Sequence, residues 1–329
     1  MNSKNKSLKY ILIALIVIFL VTSALLFLEF WDKNHGNFQD NGTVSGVVEY
    51  KGTKYELKDN IETFLIMGLD RFSDQTVADS HSDGVQADFL MLFVINNETK
   101  QYTAVHINRD TMTRVNKLSV GGASVVNYFT KQIALAYDYA NTDNDRIRCG
   151  NTKESVEYLL HGVKVNHYLS IVMDAIPVIN DFVGGVEVTL LDDFTDIDES
   201  YTEGATVTLR GDQALSYVRA RMSMNTPTNT ARMERQRQYI TALYDKTIFC
   251  MKNDDGFAAS LVERIDEYIA YDSSTQRMNA FVEKFDEYEF LGIREIEGEA
   301  VVGEKYMEFY PDDDSIWKII IDLMYEPKK

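Results

Sequence analysis

The chain has 329 residues, of which 45% are hydrophobic, and a formal net charge of −18 at neutral pH. The length and hydrophobic share suit one large folded domain or a domain with an appendage. The strongly negative charge argues against a nucleic-acid partner, because phosphate backbones bind basic surfaces. The cysteines, Cys149 and Cys250, are compatible with one disulfide or with two free thiols, and their spacing does not indicate zinc.

The N-terminus predicts a membrane anchor. Three lysines within the first nine residues precede an uncharged apolar run from Tyr10 to Leu28, which as a helix spans the hydrocarbon layer of about 30 Å. We predict a cytoplasmic tail and an uncleaved transmembrane signal anchor over residues 1–33, with the rest of the chain outside the cell. A cleaved signal peptide is the alternative, and it also places the body outside.

Three further regions follow the predicted anchor. Residues 34–60 are polar and contain glycine, which predicts an extracellular stalk. The main domain is predicted over 61–252, where strands mix with helices and indicate a layered α/β fold. A C-terminal extension, 253–329, is predicted to pack on or next to that domain.

Apolar periodicity predicts the individual elements. Strands are predicted at 61–69, 88–95, 101–107, 167–173, 186–190 and 205–209. Helices are predicted at 125–141, 153–161, 174–182, 212–217 and 230–249, with a polar turn at 142–150. The C-terminal region predicts helices at 255–270 and 274–287, two strands within 293–310, and a helix at 313–325.

Arginines concentrate in one segment of this acidic chain. Six of the 14 arginines lie between Arg210 and Arg237, and only Asp212 and Glu234 offset them there. Arginine forks match phosphate oxygens two at a time, so the segment predicts an anion site. The alternative is an arginine-rich surface that is solvated or paired with acids elsewhere.

The spacing of the arginines along the chain predicts which of them share one side of a strand or helix. Arg219 and Arg221 share one side if the chain is extended there, and Arg232 shares a helix face with Gln236. Arg232 also falls in the first helical turn, where free backbone N–H groups favour anions. Two further arginines of this helix, Arg235 and Arg237, are predicted to form charge pairs on the surface.

Carboxylates at strand ends complete a candidate site. Asp70, Asp88 and Asp110 each adjoin a predicted strand, and Arg109 lies beside Asp110. Aspartates that converge on one rim could hold Mg²⁺, whereas a single aspartate after a strand is more commonly a turn or cap residue. Arginines with Mg²⁺-binding aspartates favour phosphoryl chemistry on a pyrophosphate. The sequence lacks a P-loop, GxGxxG, HExxH or GxSxG motif, and its five histidines are interpreted as core or surface residues.

The order of these motifs resembles the LytR–CpsA–Psr family. The resemblance covers about residues 60 to 250, and each motif alone is weak. The matching runs are 68–71 (GLDR), 87–88 (AD), 109–111 (RDT), 184–188 (GGVEV), 211–221 (GDQALSYVRAR) and 232–236 (RMERQ). The resemblance implies a three-layer α/β/α sandwich around a mixed central sheet.

The resemblance also implies an activity. Such enzymes are Mg²⁺-dependent phosphotransferases that move a glycopolymer from a polyprenyl-pyrophosphate carrier onto peptidoglycan, typically at the C6 hydroxyl of muramic acid. The implied roles are Mg²⁺ binding by Asp70 and Asp88, pyrophosphate binding by Arg109, Arg219, Arg221, Arg232 and Gln236, and a supporting or base role for Asp110.

Two departures leave alternatives open. The family usually has arginine where this chain has Gln86, and glutamine could hydrogen-bond a phosphate but adds no charge. The family also tends to have proline where this chain has Asn108. The alternatives are a pyrophosphatase that acts on the same carrier and a non-catalytic protein that binds lipid-linked polymer or scaffolds an envelope complex.

Overall fold

The computed structural model describes residues 46–71, 85–220, 229–272, 287–304 and 306–328. The predicted anchor at 1–33 and Arg221 lie outside these residues. Within them, no helix has the length and apolar character needed to cross a membrane.

The described residues contain strands, α-helices and short 3₁₀ turns. The strands are β1 (Val47–Tyr50), β2 (Thr53–Leu57), β3 (Ile61–Leu69), β4 (Ala87–Asn96), β5 (Gln101–Ile107), β6 (Met112–Leu118), β7 (Val125–Gln132), β8 (His167–Val172), β9 (Val186–Thr189), β10 (Thr206–Leu209), β11 (Ile269–Tyr271), β12 (Glu289–Glu295), β13 (Gly298–Val302), β14 (Met307–Pro311) and β15 (Tyr325–Pro327). The helices are α1 (Asp145–Leu159), α2 (Ala175–Phe182), α3 (Asp212–Arg219), α4 (Asn229–Asn253), α5 (Phe257–Ile265) and α6 (Asp313–Met324).

A mixed six-stranded sheet forms the centre of the fold, in the spatial order β11–β8–β3–β4–β5–β12. The β3–β8 and β5–β12 pairs are parallel, and the other pairs are antiparallel. The predicted α/β fold with a mixed central sheet is therefore confirmed.

Both faces of the sheet are covered. Leu65 and Met67 of β3 belong to a core cluster that includes residues of α1 and α6. Phe64 belongs to a second cluster, on which Val262 of α5 and Tyr244 of α4 pack. Burial on both faces explains why β3 reads as a nearly continuous apolar run and why its predicted bounds agree with the structure.

The predicted stalk at 34–60 contains folded structure. Strands β1 and β2 form a hairpin, and β2 also pairs with β15 at the C-terminus. Lys51 and Gly52 turn the hairpin with φ values of 49° and 78°, the conformation of a two-residue type I′ turn. The short polar strands resemble a linker in sequence because one small sheet buries them only in part.

The C-terminal residues are integral to the domain, so the boundary predicted at 252 does not separate two structural units. Strand β12 completes the central sheet by pairing with β5, and Ile319 and Ile320 of α6 are buried in the main core. The described residues belong to one compact unit, Val44–Lys329.

The helix predicted at 125–141 is wrong. Residues 125–132 form β7, which pairs with β6, and two 3₁₀ turns follow at Ile133–Ala136 and Asp138–Ala140. The β-branched and aromatic residues of the first half favour a strand once a partner strand is adjacent. The turn predicted at 142–150 is also wrong beyond Asn144, whose side chain accepts hydrogen bonds from the N–H groups of Arg146 and Ile147 and begins α1.

Candidate active site

Strand register brings two of the predicted site residues together. Strands β4 and β5 are antiparallel, with Leu90 opposite Ile107. Continuing that register by two residues places Asp88 opposite Arg109. The two side chains form an ion pair between Asp88 Oδ1 and Arg109 Nη1.

A β-bulge sets the position of Asp88. In the β3–β4 pair, Gly68 lies opposite Phe89 and Leu69 lies opposite Ala87, so Asp88 is the extra residue of β4. Bulges of this kind redirect side chains and are common beside active sites. Gly68 is required here, because a Cβ atom at that position would lie 2.9 Å from Phe89 Cβ.

The Asp88 carboxylate is shared by two arginines. Its Oδ2 atom lies 3.3 Å from Nη1 of Arg232, while its Oδ1 atom accepts from Arg109. The Arg109 and Arg232 side chains are only 10% and 4% exposed. Arg109 Nη2 also donates to Gln86 Oε1. Two guanidinium groups therefore converge on one carboxylate in a poorly solvated place, where charges interact strongly.

Asp70 and Arg219 extend this cluster towards solvent. Arg219 Nη2 lies 3.6 Å from Asp70 Oδ1, and both side chains are nearly half exposed. The Asp70 N–H group donates to the carbonyl oxygen of Gln86 at 2.9 Å, which connects this pair to the Arg109 cluster. A loose, solvated ion pair of this kind contributes little stability, so a ligand can replace it at small cost.

Asp110 supports Arg109 from the buried side. Its Oδ1 atom lies 3.5 Å from Arg109 Nε and accepts a hydrogen bond of 2.9 Å from Gln132 Nε2. Its N–H group donates to Asn108 Oδ1 at 2.9 Å. With 8% of the residue exposed, Asp110 is arranged to orient Arg109.

Helix α4 carries side chains with different roles. Gln236 donates from Nε2 to the carbonyl oxygen of Val218 at 3.4 Å, which links α4 to the end of α3 beside Arg219. The surface pairing predicted for Arg237 is confirmed, because its Nη1 atom pairs with the half-exposed carboxylate of Glu295.

The surface role predicted for Arg235 is wrong. The residue is 1% exposed, and its Nη1 atom lies 2.9 Å from Asp192 Oδ2. Its Nη2 atom donates to the carbonyl oxygen of Ala220, and the guanidinium lies 5.7 Å from the centre of the Phe194 ring. Residues distant in sequence form this pocket, which is why helical spacing did not reveal it.

The sequence interpretation assigned no supporting role to two residues of the site, Asn108 and Gln132. Asn108 closes a turn on the N–H of Asp110, and an asparagine two residues before the bonded N–H is a recognisable turn signal. Gln132 offered no signal, because the strand that places it against Asp110 was predicted as a helix.

His106 is neutral and part of the core, in agreement with its interpretation as a core or surface residue. Burial, followed by the positive charges of Arg237 and Arg232, lowers the pKa of His106 to about 3. The imidazole therefore does not exchange a proton near neutral pH.

Asp70 and Asp88 are the site carboxylates that suit a divalent cation. Among the described residues, no group of three or more His, Cys, Asp or Glu side chains could hold a metal ion. Magnesium commonly uses one or two carboxylates and takes its remaining ligands from water and substrate phosphates. Asp70 and Asp88 supply that number of carboxylates, and both pair with arginines in the structure.

Comparison with known proteins identifies relatives over most of the chain. The LytR_cpsA_psr family model matches residues 32–319. The chain is 27% identical to TagU of Bacillus licheniformis over 250 residues, which cover 74% of this chain and 72% of that protein. It is 29% identical to TagU of Enterococcus faecalis over 250 residues, which cover 75% of this chain and 73% of that protein. Both relatives are named polyisoprenyl-teichoic acid–peptidoglycan teichoic acid transferases.

The fold also matches solved structures. TagT bound to LI-WTA aligns with a TM-score of 0.57 at 16% identity, covering 80% of this chain and 90% of TagT. At that identity the likeness shows the fold alone. The family match extends on both sides of the motifs quoted from the sequence, and the chain belongs to the LytR_cpsA_psr family.

Proposed function

We propose that this protein is a phosphotransferase that moves a glycopolymer from a polyprenyl-pyrophosphate carrier onto peptidoglycan. The observation that carries the proposal is the Asp88 carboxylate, held between the nearly buried guanidinium groups of Arg109 and Arg232. Convergent guanidinium groups in a poorly solvated place suit the oxygens of a pyrophosphate. The names of the TagU relatives supply the donor and acceptor classes.

The arginines act on the pyrophosphate by neutralising charge and fixing its position. Arg109 is held by Asp110 and Gln86, so its orientation is set before substrate arrives. Preorganised donors of this kind stabilise charge that develops in the transition state. The proposed pyrophosphate ligands are Arg109, Arg219, Arg221, Arg232, Gln236 and Gln86.

Asp70 and Asp88 would hold a magnesium ion. When bound, the ion would polarise the phosphoryl group and offset its charge. The two carboxylates now pair with Arg219, Arg109 and Arg232, so these arginines would be available to phosphate once the carboxylates bind the metal. We place the domain outside the cell, held by the N-terminal anchor over residues 1–33.

The reaction proposed at this rim is a substitution at phosphorus. The acceptor hydroxyl oxygen bonds to the phosphorus that carries the sugar polymer, and the bond from that phosphorus to the oxygen bridging the two phosphates breaks. Polyprenyl phosphate leaves with the bridging oxygen, and the hydroxyl proton passes to water. Asp110 is buried and bonded to Gln132, so its role is to support Arg109.

Mass spectrometry of reaction products tests the proposal. The full chain is incubated with Mg²⁺, a polyprenyl-pyrophosphate-linked oligosaccharide and uncrosslinked peptidoglycan chains, with Arg109→Ala as the control. The expected product joins oligosaccharide to glycan through a phosphodiester and is lost with Arg109→Ala or with EDTA. Free sugar phosphate without joined product would instead support hydrolysis, and intact bound lipid would support the binding role.

A further inference from the structure

Arg71, the residue directly after Asp70, is anchored at the end of β3. Its Nη2 atom donates to Asp145 Oδ2 at 2.5 Å, and the two side chains are 17% and 28% exposed. Its carbonyl oxygen accepts a hydrogen bond of 3.0 Å from the N–H group of Met173, the residue after β8. A charge-assisted hydrogen bond in a partly enclosed place is a strong contact. The chain that follows Asp70 is therefore fixed by both the side chain and the backbone of Arg71.

Asp145 is itself held on its other carboxylate oxygen. Its Oδ1 atom accepts a hydrogen bond of 2.5 Å from the Tyr137 hydroxyl. Tyr137 is fully buried, and burial raises the pKa of its hydroxyl, so the hydroxyl keeps its proton and donates. Asp145 is also the first residue of α1, where free backbone N–H groups stabilise a carboxylate. With a partner on each oxygen, the carboxylate has a defined orientation.

Tyr137 connects this carboxylate to the second strand end of the proposed site. It directly follows the 3₁₀ turn Ile133–Ala136. The first two N–H groups of that turn donate to the carbonyl oxygens of Thr111 and Arg109, at 2.8 and 3.1 Å respectively. Hydrogen bonds therefore run from the Arg109 backbone through the turn and Tyr137 to Asp145, which holds the end of β3.

The position of Asp70 depends on this anchoring, because its own side chain is loosely held. The side chain is 45% exposed and lies 3.6 Å from Arg219. Magnesium demands near-ideal octahedral geometry, and supporting contacts must hold a binding group within about 0.5 Å of its productive position. The backbone at Asp70 therefore decides where its carboxylate can meet a metal ion.

We infer that Asp145 is a positioning residue, which fixes Asp70 by holding Arg71. Its bond to Tyr137 couples this position to the strand end that carries Arg109. The consequence for metal binding rests on the proposed function, whereas the effect on the position of Asp70 does not. In this role Asp145 acts through Arg71 and does not contact the substrate.

Amide hydrogen exchange of the full chain tests the effect on position without requiring turnover. Asp145→Asn keeps the size of the side chain and removes the charge that pairs with Arg71. We expect the N–H group of Asp70, which donates to the Gln86 carbonyl oxygen, and that of Arg71 to exchange about tenfold faster. The amides of β10, which belongs to a different sheet, serve as the internal reference and should be unchanged.

Asp138→Asn is the matched control. The Asp138 side chain is 33% exposed, and it pairs with an arginine of α1, Arg148, at 3.8 Å. Arg148 is not adjacent to Asp70 in the chain, so this variant should leave exchange at residues 70 and 71 unchanged. Tyr137→Phe removes one hydroxyl and should accelerate that exchange about twofold to threefold. It decides the question if Asp145→Asn does not fold.

The Mg²⁺ dependence of transfer tests the consequence for the site. Asp145→Asn should raise the Mg²⁺ concentration for half-maximal rate about fivefold to tenfold, because it displaces the carboxylate of Asp70 without removing it. The rate at saturating Mg²⁺ should change less. A purely structural contribution of Asp145 would lower the amount of folded protein and leave that Mg²⁺ concentration unchanged.

The outcomes separate this inference from the proposed function. Faster exchange at Asp70 and Arg71 in Asp145→Asn, with the control unchanged, supports the positioning role even if the unmodified protein forms no joined product. Unchanged exchange in Asp145→Asn, or an equal increase in Asp138→Asn, overturns it even if transfer proceeds. Faster exchange together with an unaltered Mg²⁺ dependence would also overturn it, because the metal would then not respond to the position of Asp70.

Discussion

Arg232 and Arg235 lie one turn apart on the same helix, and both are almost fully buried, yet their surroundings differ. Arg232 reaches Asp88 at 3.3 Å, and Arg109 holds the same carboxylate. Arg235 reaches Asp192 at 2.9 Å and donates to the carbonyl oxygen of Ala220.

The number of arginines that pair with one carboxylate, Asp88 or Asp192, distinguishes the two regions. Asp192 pairs with one arginine, Arg235. The Ala220 carbonyl oxygen and the Phe194 ring also contact this arginine, and the pair is buried inside the protein. Asp88 is matched by two arginines at a rim that continues to the solvated pair of Asp70 and Arg219. A one-to-one buried pair supports the fold, whereas two guanidinium groups that converge on one carboxylate beside a solvated ion pair form the site proposed to bind an anion.

The largest effect on stability is expected when the one-to-one buried pair is broken. Arg235→Ala would leave the Asp192 carboxylate buried without its cation, and we expect the free energy of unfolding to fall by about 3–5 kcal/mol. Urea unfolding of the full chain followed by circular dichroism measures this. A loss below about 1 kcal/mol would contradict the structural role of Arg235.

Arg109→Ala should separate activity from stability. Removal of one preorganised donor is expected to lower the transfer rate by about 10²–10³-fold. Asp88 keeps Arg232, and Asp110 keeps Gln132, so the stability loss should be smaller than for Arg235→Ala. Initial rates and urea unfolding of the same preparation give both values. A rate near that of the unmodified protein would remove Arg109 from the site.

The burial of His106 is expected to make the free energy of unfolding depend on pH. Its folded pKa of about 3 lies below the ordinary value of 6.5, so the unfolded chain binds a proton that the folded chain excludes between these values. Stability is therefore fully present above pH 6.5 and is lost as pH falls towards 3. His106→Leu should remove on the order of 2 kcal/mol of the stability lost between pH 6.5 and 4.5.

The contribution of His106 is measured as the difference between two proteins. The free energy of unfolding in urea is measured for the unmodified protein and for His106→Leu at pH 6.5 and at pH 4.5. Subtracting the change in one protein from that in the other removes the contribution of carboxylates that both proteins share. An identical pH dependence in both proteins would contradict this prediction, because it would mean that folded and unfolded His106 take up a proton over the same pH range.

Arg237→Ala should have the smallest effect. Arg237 and Glu295 form a partly exposed pair with side-chain exposures of 20% and 46%, and such pairs contribute about 0–1 kcal/mol. The free energies of unfolding in urea of Arg237→Ala and Arg235→Ala can be compared directly, because the two arginines are two residues apart on one helix. A loss as large as that of Arg235→Ala would contradict the distinction between buried and surface pairs.

The sequence predicted the parts of the site that depend on local pattern. Asp70 directly follows the apolar run of β3, and Arg109 lies two residues after that of β5. The predicted bounds of both strands agree with the structure, because a strand buried on both faces must be continuously apolar. The arginine-rich segment was recognisable as a candidate anion site because its charge opposes that of the chain. Both inferences use properties of neighbouring residues only.

Other features depend on residues far apart in the chain. The burial of Arg235 requires Asp192 and Phe194, the conversion of 125–132 into a strand requires β6, and the bulge at Asp88 requires Gly68 on another strand. Hydrophobic periodicity within one segment carries no information about such partners. The sequence by itself thus determined four of the central strands (β3, β4, β5 and β8), the family motifs and a candidate cationic site. The tertiary structure decided which arginine supports the fold and which belongs to the proposed site, because that choice is made by the carboxylate with which each one pairs.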